Sequence, residues 1–136
     1  MEQFIRLHNS DNNYEIVVNK DDIQAVMPFK EANNRLCSKV FIGSYCSIAP
    51  FIVNETPSLV INESDDDFIT LHDASNNNIL IVRCNEISII DTIVTGNNIK
   101  SKIYFSGTCN ELKPIIVHES PEKIRLSLNK KFETTK

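Results

Sequence analysis

The chain has few of the residues from which common phosphate, redox and membrane motifs are built. It has no tryptophan and only three glycines in 136 residues, which weighs against a glycine-rich loop that cradles phosphate. Its four cysteines are far apart, at Cys37, Cys46, Cys84 and Cys109. No two of them form the CxxC pair of a zinc knuckle or a thioredoxin-type motif. No apolar run approaches the roughly 20 residues of a membrane-spanning helix, so we expect no membrane segment.

Charge limits the function classes further. The formal net charge is -4, and no stripe of Lys and Arg marks a surface for nucleic acid. Binding to nucleic acid is therefore not expected. The chain begins with strand-like residues rather than with the long apolar segment of a signal peptide. We therefore expect a cytoplasmic protein whose thiols stay reduced.

Size and composition are those of a folded soluble domain, with 41% hydrophobic and 24% charged residues. A chain of this length can bury about two thirds of its unfolded surface, so it needs no metal or disulfide to fold. We predict no cofactor and no metal site. The 19 isoleucines, 16 asparagines and 10 lysines have AT-rich codons, which favours a low-GC source such as a bacterium or its phage.

An internal repeat is the strongest signal in the sequence. The segment Phe4–His8 (FIRLH) matches Phe68–His72 (FITLH), which lies 64 residues later. The same spacing aligns residues 52–57 (IVNETP) with residues 116–121 (IVHESP). Between these segments the spacing falls by one residue, which pairs Ser38 with Ser101, Lys39 with Lys102, and Cys46 with Cys109. Matches that include His, Pro and Glu in the same order indicate a duplication.

The repeat defines the expected domain organisation. We assign residues 3–63 to the first repeat, 67–131 to the second and 132–136 to a tail, all within one compact domain, 1–136. A lone repeat of about 64 residues would be marginally stable, because a domain of that size buries a smaller fraction of its unfolded surface than a larger domain does. We therefore expect the two repeats to pack as one pseudo-symmetric unit with a shared core.

Both repeats predict the same five strands, separated by polar turns rich in Asn, Asp and Ser. The strands are expected near residues 3–8, 15–18, 23–29, 38–43 and 50–55, and near 68–73, 79–82, 87–94, 101–106 and 114–119. Thr56-Pro57 and Ser120-Pro121 predict the starts of short helices. The period-two pattern of residues 124–128 leaves a final strand as an alternative. The predicted fold class is all-β, mainly antiparallel, with one or two short helices.

The second strand of each repeat, near residues 15–18 and 79–82, is apolar on both faces. A strand with one face in water alternates between apolar and polar residues, so this pattern predicts cover on both faces. One cover is the repeat's own core, and we expect the other to be the sister repeat. Residues 62–67, which contain three consecutive aspartates, are expected to form a solvated linker on the surface.

Four side chains are candidates for ligand binding: His8, His72, Arg6 and Arg83. The two histidines are equivalent in the repeat, and together with His118 they would supply three nitrogens for a metal. The alternative is that each histidine ends a strand on its polar face. We favour this alternative because His118 has no histidine counterpart in the first repeat. Arg6 and Arg83 would serve an anionic ligand, although neither has an arginine at the matching position.

Glu55 and Glu119 recur directly before the two predicted helix starts. They are either ligand carboxylates or acceptors for backbone N–H groups near a helix N-terminus, where negative charge is favoured. We favour the second interpretation. No nucleophile with an activating base can be identified, so we predict no catalytic residues and no enzymatic activity.

Short patterns in both repeats are shared with a known bacterial family. The first repeat has Phe4–Leu7, Val17–Asn19, Asp22-Ile23 and Val53–Pro57, and the second has Phe68–Leu71, Ile81-Val82, Glu86-Ile87 and Val117–Glu122. This arrangement resembles the FlbD-like or SwrD-like domain of swarming motility and its short relatives in low-GC bacteria and phages. The resemblance implies a tandem copy of a small, β-rich, non-enzymatic interaction domain, and it implies no catalytic residues.

Two hypotheses about function follow from the sequence. The first is a non-enzymatic interaction protein that binds a protein partner or associates with itself, through an exposed sheet edge. The second is a protein that binds a small anionic ligand, such as a nucleotide-like signal, in a pocket between the repeats. The second requires converging Arg, Lys or backbone N–H groups.

Overall fold

The computed structural model describes residues 3–43, 50–106 and 112–134. Within these ranges the chain forms ten β-strands in three antiparallel sheets, together with two α-helices. The prediction of a mainly antiparallel β fold with one or two helices is confirmed.

The first half of the chain, residues 3–61, contains a hairpin, a three-stranded meander and a one-turn helix. The hairpin strands are β1 (Phe4–His8) and β2 (Glu15–Asn19). The meander strands are β3 (Ile23–Lys30), β4 (Leu36–Ile42) and β5 (Phe51–Val53). The helix is α1 (Pro57–Val60), and a 3₁₀ turn over Lys20–Asp22 joins the hairpin to the meander.

The second half, residues 68–134, has the same order of elements. Its hairpin strands are β6 (Phe68–His72) and β7 (Ile79–Arg83), followed by a 3₁₀ turn over Cys84–Glu86. Its meander strands are β8 (Ile87–Thr95), β9 (Asn98–Phe105) and β10 (Ile115–Val117), and its helix is α2 (Pro121–Thr134). All ten strands predicted from the sequence are present, with ends within a few residues of those expected.

A five-stranded sheet joins the two halves, in the order β5-β4-β3-β7-β6. Its central contact is the antiparallel pair of β3 and β7, which we call the internal junction. There Ala25 lies opposite Val82, and Val26 lies opposite Ile81. The β1-β2 hairpin and the β10-β9-β8 sheet are separate from this sheet.

The five-stranded sheet has an apolar cluster on each face. Successive side chains of a strand point to opposite faces, so neighbouring residues of the internal junction enter different clusters. Val26 and Ile81 belong to the cluster built mainly from the first half. Ala25 and Val82 belong to the cluster that includes Ile124 of α2. Strand β7 is therefore covered on one face by the first half and on the other by its own half.

Asparagine supplies the left-handed backbone conformation at three turns. Asn13, Asn34 and Asn77 have φ angles of 61°, 71° and 62°, and Gly96 between β8 and β9 has a φ of 62°. Asparagine tolerates this region better than other non-glycine residues because its short side chain bonds to the local backbone. The asparagine-rich turns thus take the place that glycine has in many β proteins.

Helix α2 is longer than the sequence predicted, and the alternative of a final strand over residues 124–128 is wrong. Ile124 and Leu128, one helical turn apart, pack on the second-half cluster, whereas Leu126 is 55% exposed. Pro121 stands at the first turn, where proline is tolerated, and the Ser120 hydroxyl accepts the N–H of Lys123. Among the described residues, no helix combines the length and the apolar character needed to cross a membrane.

Two cysteines, Cys37 and Cys84, are buried as free thiols. Burial raises the pKa of the Cys84 thiol to about 11, so it is protonated at neutral pH and a poor nucleophile. Cys46 and Cys109, which the repeat aligns, lie outside the described residues. No thiol chemistry is indicated by the two cysteines that can be described.

The internal junction makes a stability prediction. Replacing Ile81, which is 1% exposed, by Ala should lower the free energy of unfolding by about 2–5 kcal/mol, because it leaves a cavity inside the cluster built mainly from the first half. The matched control is Val17→Ala at the corresponding position of β2, which is 60% exposed and should cost less than about 0.5 kcal/mol. Urea unfolding of the two variants measures both. Equal losses of unfolding free energy in the two variants would contradict the prediction that burial of Ile81 stabilises the fold.

Candidate interaction site

The two equivalent histidines, His8 and His72, are each held by a glutamate from the segment that precedes a helix. Glu55 accepts the backbone N–H of His8 at 3.0 Å with one carboxylate oxygen, and its other oxygen lies 2.6 Å from Nδ1 of the ring. Glu119 makes the same two contacts with His72, also at 3.0 and 2.6 Å. Both pairs fasten the end of a hairpin strand to the chain just before α1 or α2.

These pairs explain the recurrence of the glutamates. Burial raises the pKa of Glu55, but the hydrogen bonds from the ring and the backbone of His8 outweigh it and hold the pKa below its ordinary value. The predicted role, acceptance of backbone N–H bonds, is right, but the donor is a strand end rather than a helix N-terminus. Within the described ranges, no three His, Cys, Asp or Glu side chains are grouped as a metal site.

The two predicted arginines lie in different environments. Arg6 of β1 is exposed and pairs with Glu15 of β2, with 3.2 Å between Nε and Oε1. Arg83, at the end of β7, donates Nε to the carbonyl of Ile23 at 2.8 Å and Nη2 to the carbonyl of Lys20 at 2.5 Å. Its guanidinium also lies over the Phe68 ring. Arg83 therefore holds the two halves together at the internal junction.

His8, His72, Arg6 and Arg83 thus all have protein partners, and a ligand-binding role for them stays a prediction. The cavity beside Arg83, of about 270 Å³, is also lined by Asp21, Asp22 and Glu86. Three carboxylates around one arginine make this space between the halves unfavourable for an anion. The geometry here gives the small-ligand hypothesis no support.

A buried ion pair lies at the same junction. Nζ of Lys20 is 3.0 Å from Oδ2 of Asp65, and both side chains are 8% exposed. Burial raises the pKa of Asp65, but the N–H of Asp67 and the ammonium of Lys20 together hold it below its ordinary value. The prediction that Asp65 belongs to a solvated linker is wrong. Its carboxylate is buried against Lys20 of the first half, shortly before β6 begins.

The two hairpins differ sharply in exposure although their sequences match. Phe68 and Ile81 of the β6-β7 hairpin are each 1% exposed. Phe4 and Val17, the corresponding residues of the β1-β2 hairpin, are 59% and 60% exposed. The prediction that β2 is covered on both faces is wrong. The reason is that the sister half covers β7 only.

The two meanders differ in the same way. Ala25 of β3 is fully buried at the internal junction, whereas Ile89, at the corresponding position of β8, is 57% exposed. In the part of the chain that the structure describes, β8 is the last strand of its sheet, and β2 pairs only with β1. In the described chain, two edge strands, β2 and β8, therefore combine an unpaired edge with exposed apolar side chains.

An open apolar groove runs beside β2. It has a volume of about 490 Å³ and is lined chiefly by Ile16, Val17, Val18, Ile42 and Phe51. We call it the β2 groove. In the second half, the positions corresponding to Ile42 and Phe51 are Phe105 and Ile115. Both pack on the cluster to which β3 contributes.

Sequence reasoning did not single out Val17 and Ile89. The available signal was the doubly apolar second strand and the adjacent pair Ile89-Ile90 in β8, which breaks the alternation of a half-exposed strand. That signal indicates a need for cover on both faces. It does not tell whether the cover comes from the same chain.

Comparison with known proteins adds no assignment. No protein family, curated protein or solved structure matches this chain. Its function is therefore inferred from the side chains and surfaces described above.

The buried pair predicts a pH-dependent loss of stability. Asp65→Asn should lower the free energy of unfolding by about 3 kcal/mol at neutral pH, because it removes the carboxylate that pairs with the buried Lys20 ammonium. A lowered native pKa stabilises the fold above the ordinary value of 3.8, and this contribution is lost as the pH falls below it. The difference from the unmodified protein should therefore shrink in acid.

Urea unfolding over a pH series measures this difference. The control is Glu122→Gln, which removes the exposed pair with Arg125 and should cost less than about 1 kcal/mol. If Asp65→Asn costs no more than the control, or if its effect does not change with pH, the Lys20–Asp65 pair has no special role.

Proposed function

We propose that this protein is a non-enzymatic interaction module that acts by protein–protein binding or self-association through two of its edge strands, β2 and β8. The observation that carries the proposal is the exposure of Val17 and Ile89, whose counterparts Ile81 and Ala25 are buried in a strand–strand contact. An exposed apolar strand edge whose counterpart is buried against another strand is suited to bind a strand.

The chemistry of these edges supports strand addition. An unpaired strand presents a row of N–H and C=O groups that can bond to another strand, and apolar side chains beside it supply affinity. The β2 groove adds Ile42 and Phe51 to the apolar surface along β2. Charged residues that commonly protect an edge are few here, with Glu15 at one end of β2 and Asp91 within β8.

The proposal includes the duplication itself. We take the two halves to be pseudo-symmetric repeats of one FlbD-like or SwrD-like unit in a bacterial or phage protein of the cytoplasm. The sequence match, the shared order of elements and the two His–Glu pairs at equal distances support this interpretation. A cytoplasmic setting suits the buried free thiols Cys37 and Cys84.

Site-specific photo-cross-linking tests the proposal. A photoreactive amino acid is placed at Val17 or at Ile89, and the protein is irradiated in the cells from which it comes. The control position is Val94, which lies on the same strand as Ile89 and is 68% exposed. We expect covalent adducts with protein, either with a second copy or with another chain, from Val17 and Ile89 but not from Val94.

Two results would refute the interaction function. One is the absence of protein adducts at both edge positions. The other is equal adduct formation at Val94, since that would show contact by exposure alone. Thermal-shift measurements against nucleotides and other small anions test the small-ligand hypothesis. A ligand near saturation raises the free energy of unfolding by about 2–4 kcal/mol.

A further inference from the structure

The internal junction is a strand pair that only one of the two possible sets of corresponding strands forms within the described chain. It joins the third strand of the first half, β3, to the second strand of the second half, β7. Among the described residues, the corresponding strands, β8 and β2, have no partner on the corresponding edge. Each molecule therefore presents both sides of one further junction, at two different places.

From this arrangement we propose that a second copy of the chain docks head to tail, with β8 of one copy pairing antiparallel to β2 of the next. This inference rests on the interaction function proposed above and specifies its partner. The register of the internal junction places Ile89 opposite Val18 and Ile90 opposite Val17. Because the two surfaces are different, the contact is heterologous rather than a two-fold dimer.

Strand β8 has a register shift at the same place as β3. The pairing of β3 with β4 shifts register between Ile23 and Ala25. The pairing of β8 with β9 shifts between Ile87 and Ile89, at the corresponding place. Such bulges bend a strand and re-aim its side chains. The strand that enters the internal junction and the strand left exposed thus share the same local distortion.

The β2 groove matches the side chains that β8 would bring. In the second half, the corresponding slot is filled by Ala25 and Phe41, with Met27 packed beside them. A second copy would bring Ile89 at the position of Ala25 and Tyr104 at the position of Phe41. Docking would also bury Phe4, as Phe68 is buried at the internal junction. A second copy therefore supplies cover for the exposed apolar residues of both edges.

The contact between copies is weaker than the internal one. Asn19 and Cys84 stand at the positions of Arg83 and Lys20, so the arginine bonds to carbonyls and the buried ion pair have no counterparts. Asp91 stands at the position of Met27 and must stay near solvent. Association is therefore reversible and increases with protein concentration.

Complementation between two blocked variants tests the proposal. Val17→Asp places a charge on the β2 edge and Ile89→Asp places one on the β8 edge. Both residues are more than half exposed, so neither change should unfold the monomer. In sedimentation velocity experiments, the unmodified protein should gain mass with concentration, and each variant alone should stay at the chain mass of 15.5 kDa. An equimolar mixture of the two should approach twice that mass, because each variant keeps one intact surface.

The control is Val94→Asp, on β8 but away from the paired positions, which should associate as the unmodified protein does. Urea unfolding checks that each variant is folded, and Val17→Lys with Ile89→Lys replaces any aspartate variant that is not. The inference is overturned if the unmodified protein stays monomeric at all concentrations. It is also overturned if a blocked variant still associates with itself, or if the mixture stays monomeric.

Failure of this inference is distinguishable from failure of the interaction function. If the protein is monomeric but Val17 and Ile89 still cross-link to another protein, the edges bind a different partner and only the head-to-tail contact is wrong. If there is neither self-association nor a protein adduct, both proposals fall.

Discussion

The whole fold depends on one strand, β7, having apolar cover on both faces. Its side chains alternate between the two clusters, with Ile81 in one and Val82 in the other. Neither cluster would be closed if the halves were separated, because Phe68 and Ile81 complete the first and Ala25 and Phe41 complete the second. Units of about 60 residues are marginal on their own, and sharing one sheet across the halves removes this limitation.

The polar contacts around the junction follow from that sheet. Once β7 lies beside β3, the carbonyls of Ile23, at the start of β3, and of Lys20, in the preceding turn, face the end of β7, and Arg83 donates to both. The chain between the halves must then pass close to the Lys20–Asp22 turn, and Asp65 meets the Lys20 ammonium there. The path of the connection between the halves thus brings the ion pair together. The pair adds little to the stability of the fold beyond what apolar packing would give.

Local patterns in the sequence predicted the strands well, because alternation and asparagine-rich turns are local properties. They failed where tertiary contacts decide. Residues 124–128 alternate like a strand, but Ile124 and Leu128 meet the core only as a helix that starts at Pro121. The exposure of Val17 could not be predicted from sequence, because β2 and β7 have the same pattern and only the path of the chain decides which one β3 covers. The histidines were found, but their glutamate partners at a sequence distance of 47 residues were not assigned to them.

Covalent linkage distinguishes the internal junction from the contact between copies that we propose. Within the chain, β3 and β7 are tethered by a connection that keeps their effective concentration high, so even a contact of two residue pairs forms. Additional side chains, Arg83 and the Lys20–Asp65 pair, then strengthen it. The open edges, β2 and β8, have apolar residues at the corresponding positions but lack the tether and those additions. In the arrangement that we propose, the internal junction gives the chain a stable core, and the open edges add a contact between copies whose occupancy is set by protein concentration.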